Sequence, residues 1–217
     1  MNKTKIEWTD YTWNPVTGCK HNCEWCYARK IANRFKNLFN DFKPTFHEHR
    51  LTEPYGRQYK PSKIFVVSMG DLFGKWVPAS WIHSVIKVAE DNPQHTFQFL
   101  TKNSKRYLWF DFPKNCWIGT TVTGEKTESS STYPRRKTIQ FLSIEPLLGE
   151  PYLGRIGAYD WIIIGAMTGH GSKKHQPKKE WIDKIVEWCG GYNIPIFMKN
   201  SLSDIWGRPL IQEFPNE

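Results

Sequence analysis

Three cysteines lie within eight residues of one another, at Cys19, Cys23 and Cys26. Their C-x3-C-x2-C spacing lets three thiols converge on one metal centre, and thiolate ligands favour zinc or iron–sulfur clusters. A site with three protein ligands leaves one coordination position open for an exogenous ligand, as metal-based chemistry requires. The alternative is a structural zinc site of the Cys3His type. Its fourth ligand would be His21, His47 or His49.

The remaining cysteines, Cys116 and Cys189, are isolated in the sequence and are expected to be buried thiols. An odd total of 5 cysteines in a chain this long argues against a disulfide framework and favours a reducing compartment. His21, inside the cysteine loop, is expected to be an exposed polar spacer. The other interpretation is that it tunes a bound cluster.

The composition describes a globular, basic protein. Of 217 residues, 39% are hydrophobic and 15% aromatic, which excludes an intrinsically disordered chain. No apolar run approaches the roughly 20 residues of a membrane helix, and residues 1–7 do not resemble a signal peptide, so a cytoplasmic location is expected. The net charge of +9 favours polyanionic or phosphorylated partners.

Short β-rich runs alternate with helical stretches along the chain. Strands are predicted at 11–16, 64–68, 96–101, 116–122, 139–144, 161–165 and 194–198. Helices are predicted at 27–39, 78–91, 104–110 and 178–189. Residues 42–63 are polar and irregular, which is typical of a lid or an insertion.

This alternation predicts an α/β fold with a parallel sheet, built as one domain over residues 1–217. The pattern leaves open whether the sheet is doubly wound or forms a full or partial barrel. Both arrangements place chemistry at the carboxyl ends of the strands.

The cysteine spacing, with the aromatic Trp25 directly before the last cysteine, resembles the radical S-adenosylmethionine superfamily. The resemblance implies a partial (β/α)6–7 TIM-like barrel and a [4Fe-4S] cluster held by Cys19, Cys23 and Cys26. It also implies that S-adenosylmethionine binds the unique iron and is reductively cleaved to a 5'-deoxyadenosyl radical. The electron would come from a donor such as flavodoxin or ferredoxin.

Several longer strings are similar to one subgroup, the phage-associated radical-S-adenosylmethionine-like family of unknown function (DUF5131-type). They are IEWTD at 6–10, TWNPVTGC at 12–19, SMGDLF at 68–73, FLTK at 99–102 and LSIEPLLG at 142–149. The cysteine spacing here is the shorter superfamily one. A second departure is the string GAMTG at 165–169, where the family typically has a carboxylate, and this difference points to another substrate.

The resemblance implies cofactor contacts at the ends of three strands. Trp25 and Tyr27 would lie against the adenine, with core packing as the alternative. Ser68 and Asp71 occupy the motif that contacts the methionyl amino group, although Asp71 would equally cap the following turn. Thr121 and Thr123 would bind ribose hydroxyls, or serve as ordinary strand residues.

Basic residues follow several predicted strands and would form a cationic face. They are Lys20, Lys102, Lys105, Arg106, Lys173, Lys174, His175 and Lys199. This face predicts an anionic substrate, such as a nucleotide or a nucleic-acid base, with phage-type DNA base modification as one candidate pathway. Glu145, Tyr107 and Lys199 are the predicted catalytic residues, acting as substrate contacts or radical relays. The competing hypothesis is a zinc-stapled nucleic-acid-binding module without catalysis.

Overall fold

The computed structural model describes residues 1–35, 40–124, 138–151, 156–169 and 171–216. The chain divides into two compact units, unit 1 over residues 1–118 and unit 2 over residues 119–217. The prediction of one domain over the whole chain therefore stays a prediction.

Unit 1 contains both parallel and antiparallel strand pairs. Their bounds are β1 (Asn2–Lys3), β2 (Tyr11–Trp13), β3 (Val16–Thr17), β4 (Thr45–Phe46), β5 (Lys63–Val66) and β6 (Thr96–Thr101). Strand β2 pairs in parallel with β5, and β5 pairs in parallel with β6. The antiparallel pairs are β1 with β2, and β3 with β4 in a separate ribbon.

Two α-helices of unit 1 differ slightly from their predicted bounds. Helix α1 (Tyr27–Arg34) ends where Phe35 leaves the helical conformation. The rest of the predicted helix, residues 36–39, lies outside the described residues. Helix α2 (Ala79–Asp91) begins one residue late, since Pro78 is extended and takes the position before the first turn. A 3-10 helix, Ser104–Trp109, replaces the predicted helix at 104–110.

The predicted first strand at 11–16 is interrupted. Asn14 and Pro15 separate β2 from β3, because proline has no amide hydrogen for strand pairing. The segment 42–63 is not irregular throughout, since it contains β4 and the 3-10 helix Glu48–Tyr55. The Trp13 indole donates to the Arg50 carbonyl at 2.8 Å, which ties this segment to β2. Its role as a lid stays a prediction.

Strand β7 (Cys116–Val122) begins in unit 1 and ends in unit 2. Unit 2 continues with β8 (Gln140–Ile144), β9 (Trp161–Ile164) and β10 (Ile196–Met198), which pair in parallel in that order. Every residue of these last three strands is buried, as expected for parallel strands covered on both faces.

Helix α3 (Lys179–Tyr192) of unit 2 continues through two glycines where the sequence predicted an end at residue 189. Two helical glycines cost only about 1 kcal/mol each. The helix ends at Asn193, whose φ of 53° gives a left-handed C-terminal cap. Helix α4 (Ser203–Trp206) follows. Across the described residues, none of the helices is both long and apolar enough to span a membrane.

Candidate metal and cofactor site

The cysteine loop connects β3 to α1 and is anchored at its start by Gly18. The Gly18 amide donates to the Met69 carbonyl at 2.9 Å, and its φ of +89° is a left-handed conformation that favours glycine. A Cβ at this position would lie 2.2 Å from the Lys43 carbonyl oxygen. Because the backbone passes so closely here, the loop begins at a fixed point beside the turn that follows β5.

Two of the three thiols have defined local partners. The Cys26 sulfur caps α1 by accepting the Arg29 amide at 3.4 Å, and the Cys19 sulfur accepts the His21 amide at 3.5 Å. Burial, together with the charges of Asp71, Cys26 and Cys23, raises the pKa of Cys19 to about 12, against the weaker effect of the His21 amide. A bound metal cation reverses this balance, because it favours the thiolate.

The donor set fits an iron–sulfur cluster in its chemistry. The three sulfurs come from one short loop, and Cys19, Cys26 and Met69 pack against an apolar group formed by Ala28, Ala32 and Phe42. Within the described residues, however, no three His, Cys, Asp or Glu side chains already form a group that could hold a metal ion.

The histidines considered as fourth zinc ligands have other partners. His21 Nε2 lies 2.8 Å from Asp71 Oδ2, and His47 Nε2 lies 2.9 Å from Thr17 Oγ1. His49 packs edge-on against the His47 ring. His21 is also not the exposed spacer that was expected, since only 25% of its side chain is exposed. A preformed Cys3His arrangement is thus absent from the part of unit 1 that the structure describes.

The Ser68–Asp71 turn after β5 lies next to the cysteine loop because of two backbone features. Val67 adopts a φ of 60°, which is costly for a β-branched residue, and it reverses the chain at the end of the strand. Asn14 then fastens the turn by accepting the Met69 amide at 2.9 Å and bonding the Ser68 hydroxyl. Asn14 was not singled out from the sequence; its place before a proline, between two short strands, was the only signal.

Asp71 is 4% exposed, and its carboxylate accepts four hydrogen bonds. The donors are the Phe73 amide at 3.0 Å, Thr101 Oγ1 at 2.7 Å, His21 Nε2 at 2.8 Å and the Lys102 amide at 3.1 Å. The bond to Phe73 matches the turn cap that was the alternative interpretation. The contact with a methionyl amino group stays a prediction.

Trp25 and Tyr27, the predicted adenine contacts, are held in different ways. The Lys102 ammonium lies 5.4 Å from the centre of the Trp25 ring, a cation–π geometry. Tyr27 is 53% exposed, and its hydroxyl donates to the Ser68 carbonyl at 2.7 Å. Both aromatic rings are thus fastened to turns that follow parallel strands, and their adenine contacts stay predictions.

Tyr107 and Arg106 are buried in unit 1. Tyr107 is 3% exposed, and its ring centre lies 4.5 Å from that of Phe73. Arg106 is 8% exposed and donates to the carbonyls of Gly74 and Val77, so its assignment to a cationic surface is wrong. The predicted catalytic role of Tyr107 stays a prediction. Lys20 and Lys105, by contrast, are exposed as expected.

Unit 2 brings together two of the predicted catalytic residues. Glu145, directly after β8, forms an ion pair with Lys199, directly after β10. Their side chains are 29% and 20% exposed, respectively. A Cβ on Gly165 would lie 3.0 Å from Lys199 Cδ and 3.3 Å from the Glu145 carboxyl carbon, so the absence of a side chain there leaves room for the pair.

The other predicted residues of unit 2 are dispersed. Thr121 is partly exposed and Thr123 is buried, and the Thr123 carbonyl accepts the Leu148 amide at 2.8 Å. Their ribose contacts stay predictions. Lys173, Lys174 and His175 form an exposed 3-10 turn. Of the isolated cysteines, Cys116 and Cys189 are both buried as expected, and burial raises the pKa of both thiols.

Solved structures of spore photoproduct lyase have a fold similar to that of this chain. A mutant with bound AdoMet and dinucleoside spore photoproduct matches 95% of this chain with a TM-score of 0.50 and 11% identity. This chain spans 63% of the length of that lyase chain. A second complex with dinucleoside spore photoproduct matches 94% of this chain and 76% of its own, with a TM-score of 0.52 and 10% identity.

A third lyase structure, a single mutant, matches 91% of this chain and 78% of its own, with a TM-score of 0.53 and 11% identity. These likenesses confirm the predicted fold class, an α/β partial barrel with mostly parallel strands.

No curated protein matches the chain significantly. A family described as a protein of unknown function (DUF5131) matches residues 3–208. The chain therefore belongs to the DUF5131 family.

Proposed function

We propose that this protein is a radical S-adenosylmethionine enzyme that binds a [4Fe-4S] cluster through Cys19, Cys23 and Cys26. The observation that carries the proposal is the position of the three thiols, on one loop between β3 and α1 and beside the turn that follows β5. The fold supports it, because the similar lyase structures include one with bound AdoMet. Thiolate ligation by three cysteines leaves one iron free for an exogenous ligand.

Residues of the cysteine loop and of the turn after β5 would bind and orient the cofactor. When bound, the cluster and S-adenosylmethionine supply a one-electron cleavage of the sulfonium that yields a 5'-deoxyadenosyl radical. Trp25 and Tyr27 offer aromatic faces. A cation–π contact with Lys102 holds the Trp25 ring in place, and a hydrogen bond to the Ser68 carbonyl holds the Tyr27 ring. Ser68 and Asp71 are polar groups of the adjacent turn, and Thr121 and Thr123 are the proposed ribose contacts. A flavodoxin or ferredoxin is the proposed electron donor.

We further propose an anionic substrate, such as a nucleotide or a base within a nucleic acid. The net charge of +9 supports this class, because exposed lysines attract phosphate groups. Two of the similar lyase structures contain a dinucleoside spore photoproduct. Modification of DNA bases of the phage type is one reaction that fits this class. Glu145 and Lys199 are the proposed substrate contacts, and Tyr107 the proposed relay.

Anaerobic reconstitution with iron and sulfide tests the cluster directly. The parent protein is expected to bind about four irons per chain and to produce 5'-deoxyadenosine when reduced with dithionite in the presence of S-adenosylmethionine. Cys23→Ala should lose the iron and the product together. Cys189→Ala is the matched control, because this buried thiol of α3 lies outside the cysteine loop, and it should retain both. Stoichiometric zinc without 5'-deoxyadenosine would instead identify a zinc-stapled binding module.

A salt titration tests the substrate class. If the substrate is a nucleic acid, the logarithm of its binding constant should fall linearly with the logarithm of salt concentration, with a slope that counts the phosphates neutralised. Binding measured by fluorescence anisotropy with a labelled single-stranded oligonucleotide gives this slope. A binding constant that does not change with salt would contradict an anionic substrate.

A further inference from the structure

The Asp71 carboxylate joins three separate segments of unit 1. Its four hydrogen bonds come from the turn after β5, from the end of β6 and, through His21, from the cysteine loop. Two carboxylate oxygens offer about four lone-pair sites, so these donors use the whole acceptor capacity. Because Asp71 is buried and fully bonded, its side chain is fixed in one position.

This bonding exceeds what a turn cap needs. A cap of the turn after β5 requires only the bond from the Phe73 amide. The bond from His21 crosses 50 residues of sequence, and the bond from Thr101 crosses 30. The carboxylate therefore holds distant segments together in addition to its own turn.

The hydrogen bond from His21 connects Asp71 to the cysteine loop between Cys19 and Cys23. Its ring also packs edge-on against Trp76, at 4.8 Å between ring centres. On the other side of Cys23, the Trp25 ring lies under the ammonium of Lys102, whose amide binds Asp71. Cys23 is thus flanked by His21, which bonds Asp71 directly, and by Trp25, which contacts Asp71 through Lys102.

The outer cysteines have backbone anchors of their own. The Cys19 amide donates to the Phe42 carbonyl at 3.2 Å, and Cys26 caps α1. Cys23 lies between these anchors, where Asn22 has a φ of 55°. The Cys23 carbonyl accepts the Cys26 amide at 3.2 Å, so side-chain contacts add to this one local backbone bond in holding the middle of the loop.

We infer that His21 and Asp71 are positioning residues that hold the middle of the cysteine loop, and hence Cys23, in the conformation that receives the cluster. This inference rests on the proposed function, because it assumes that the loop binds a cluster. The contact between His21 and Asp71 also stabilises the loop in the protein without iron. It gives Asp71 a role in the support of a metal ligand. Groups that support metal ligands in this way typically alter metal affinity by about 10- to 100-fold when they are removed.

Three single variants test the inference in the full chain. His21→Phe keeps a ring against Trp76 but removes the donor to Asp71. His21→Gln restores an amide donor and should rescue the loop. His83→Gln is the matched control, because His83 is exposed on α2 and packs only its ring, against Phe110.

The first measurement is hydrogen–deuterium exchange of the amides of residues 19–26 in the iron-free protein. We expect exchange in His21→Phe to be about tenfold faster than in the parent, with the parent rate in His21→Gln and His83→Gln. The melting temperature should fall in His21→Phe, because the buried Asp71 carboxylate loses one donor, and should keep the parent value in His21→Gln and His83→Gln. Unchanged exchange in His21→Phe, or equal acceleration throughout unit 1, would overturn the inference.

The second measurement is the rate at which a chelator removes iron from the reconstituted protein. We expect about tenfold faster loss from His21→Phe, rescue in His21→Gln, and an effect of Asp71→Asn combined with His21→Phe that is smaller than the product of the two single effects. If the two changes act independently, so that their effects multiply, the inference that His21 and Asp71 act together is overturned. If the parent binds no iron but His21→Phe still accelerates loop exchange, the proposed function fails while the positioning role stands.

Discussion

Two carboxylates follow parallel strands, one in each unit, and they are held in different ways. Asp71 in unit 1 is buried and accepts four hydrogen bonds, two from backbone amides and two from uncharged or weakly basic side chains. Glu145 in unit 2 is partly exposed and is paired with the ammonium of Lys199. The first arrangement fixes a carboxylate in place. The second leaves a carboxylate and a cation that an incoming ligand can separate.

The difference follows from solvation. A buried carboxylate is stable only when its lone pairs are bonded, so Asp71 cannot lose partners without a large cost. A partly exposed ion pair gains little, because water solvates both charges when they separate. Structural support is therefore expected from Asp71, and exchangeable binding from Glu145 and Lys199.

The largest expected effect is at the start of the cysteine loop. Gly18→Ala should destabilise unit 1 by roughly 4 kcal/mol, because it combines a strained positive φ with a close backbone contact. Gly190→Ala in α3 is the matched control. No atom lies within 4 Å of a Cβ at Gly190, so this change should stabilise the protein by about 0.5–1 kcal/mol. Urea denaturation measures both, and a loss below about 1 kcal/mol in Gly18→Ala would show that the loop start is not rigid.

The next effect concerns the fixed carboxylate. Asp71→Ala should lower the free energy of unfolding by about 3 kcal/mol, because it leaves several buried donors without an acceptor. Asp71→Asn keeps part of the acceptor capacity and should lose less. Chemical denaturation of the iron-free protein gives both values. Equal stability of Asp71→Ala and the parent would contradict the structural role of this carboxylate.

Acid should weaken unit 1 through the buried His95 and the partly buried His47. Burial lowers the pKa of His95 and, with the charge of Arg50, the pKa of His47. Because the unfolded chain binds protons more readily at these positions, stability is complete above pH 6.5 and falls as the pH drops toward the lowered values. His95→Phe should flatten this dependence. Unfolding followed between pH 7.5 and 5 measures it, and an unchanged slope would exclude His95 as a source of the acid sensitivity.

The smallest expected effect on stability is in unit 2. Glu145→Gln and Lys199→Met should each change the free energy of unfolding by no more than about 1 kcal/mol, because the pair is partly exposed. If the pair binds substrate, both variants should lower turnover far more than stability. The comparison of the two carboxylates fails if Glu145→Gln proves as destabilising as Asp71→Ala.

Much of the fold could be predicted from local sequence patterns. The apolar runs predicted as strands at 64–68 and 161–165 form the strands Lys63–Val66 and Trp161–Ile164, because a local run of apolar side chains is enough to indicate a buried strand. The ends of helices and strands were less predictable where tertiary contacts outweighed a local sequence signal. Helix α3 passes through two glycines because packing of its apolar face outweighs their propensity, and 11–16 is split because Asn14 fastens another turn.

The candidate site was likewise only partly predictable from the sequence. The three cysteines were evident from their spacing, whereas the role of His21 was mistaken for that of an exposed spacer. Its partner lies 50 residues away, and no pattern within the cysteine loop indicates it. Arg106 was misassigned for a similar reason, because the carbonyls of Gly74 and Val77 that bind it are about 30 residues distant.

The sequence by itself determined which thiols lie close together along the chain, which runs become strands, and the sign of the net charge. These properties depend on residue type and on spacing over a few positions. Only the tertiary structure decided that Asp71 binds His21 and Thr101, and that Glu145 meets Lys199. The physical reason is strand register, because the alignment of parallel strands sets which residues at their ends become neighbours across 30 to 54 positions of sequence.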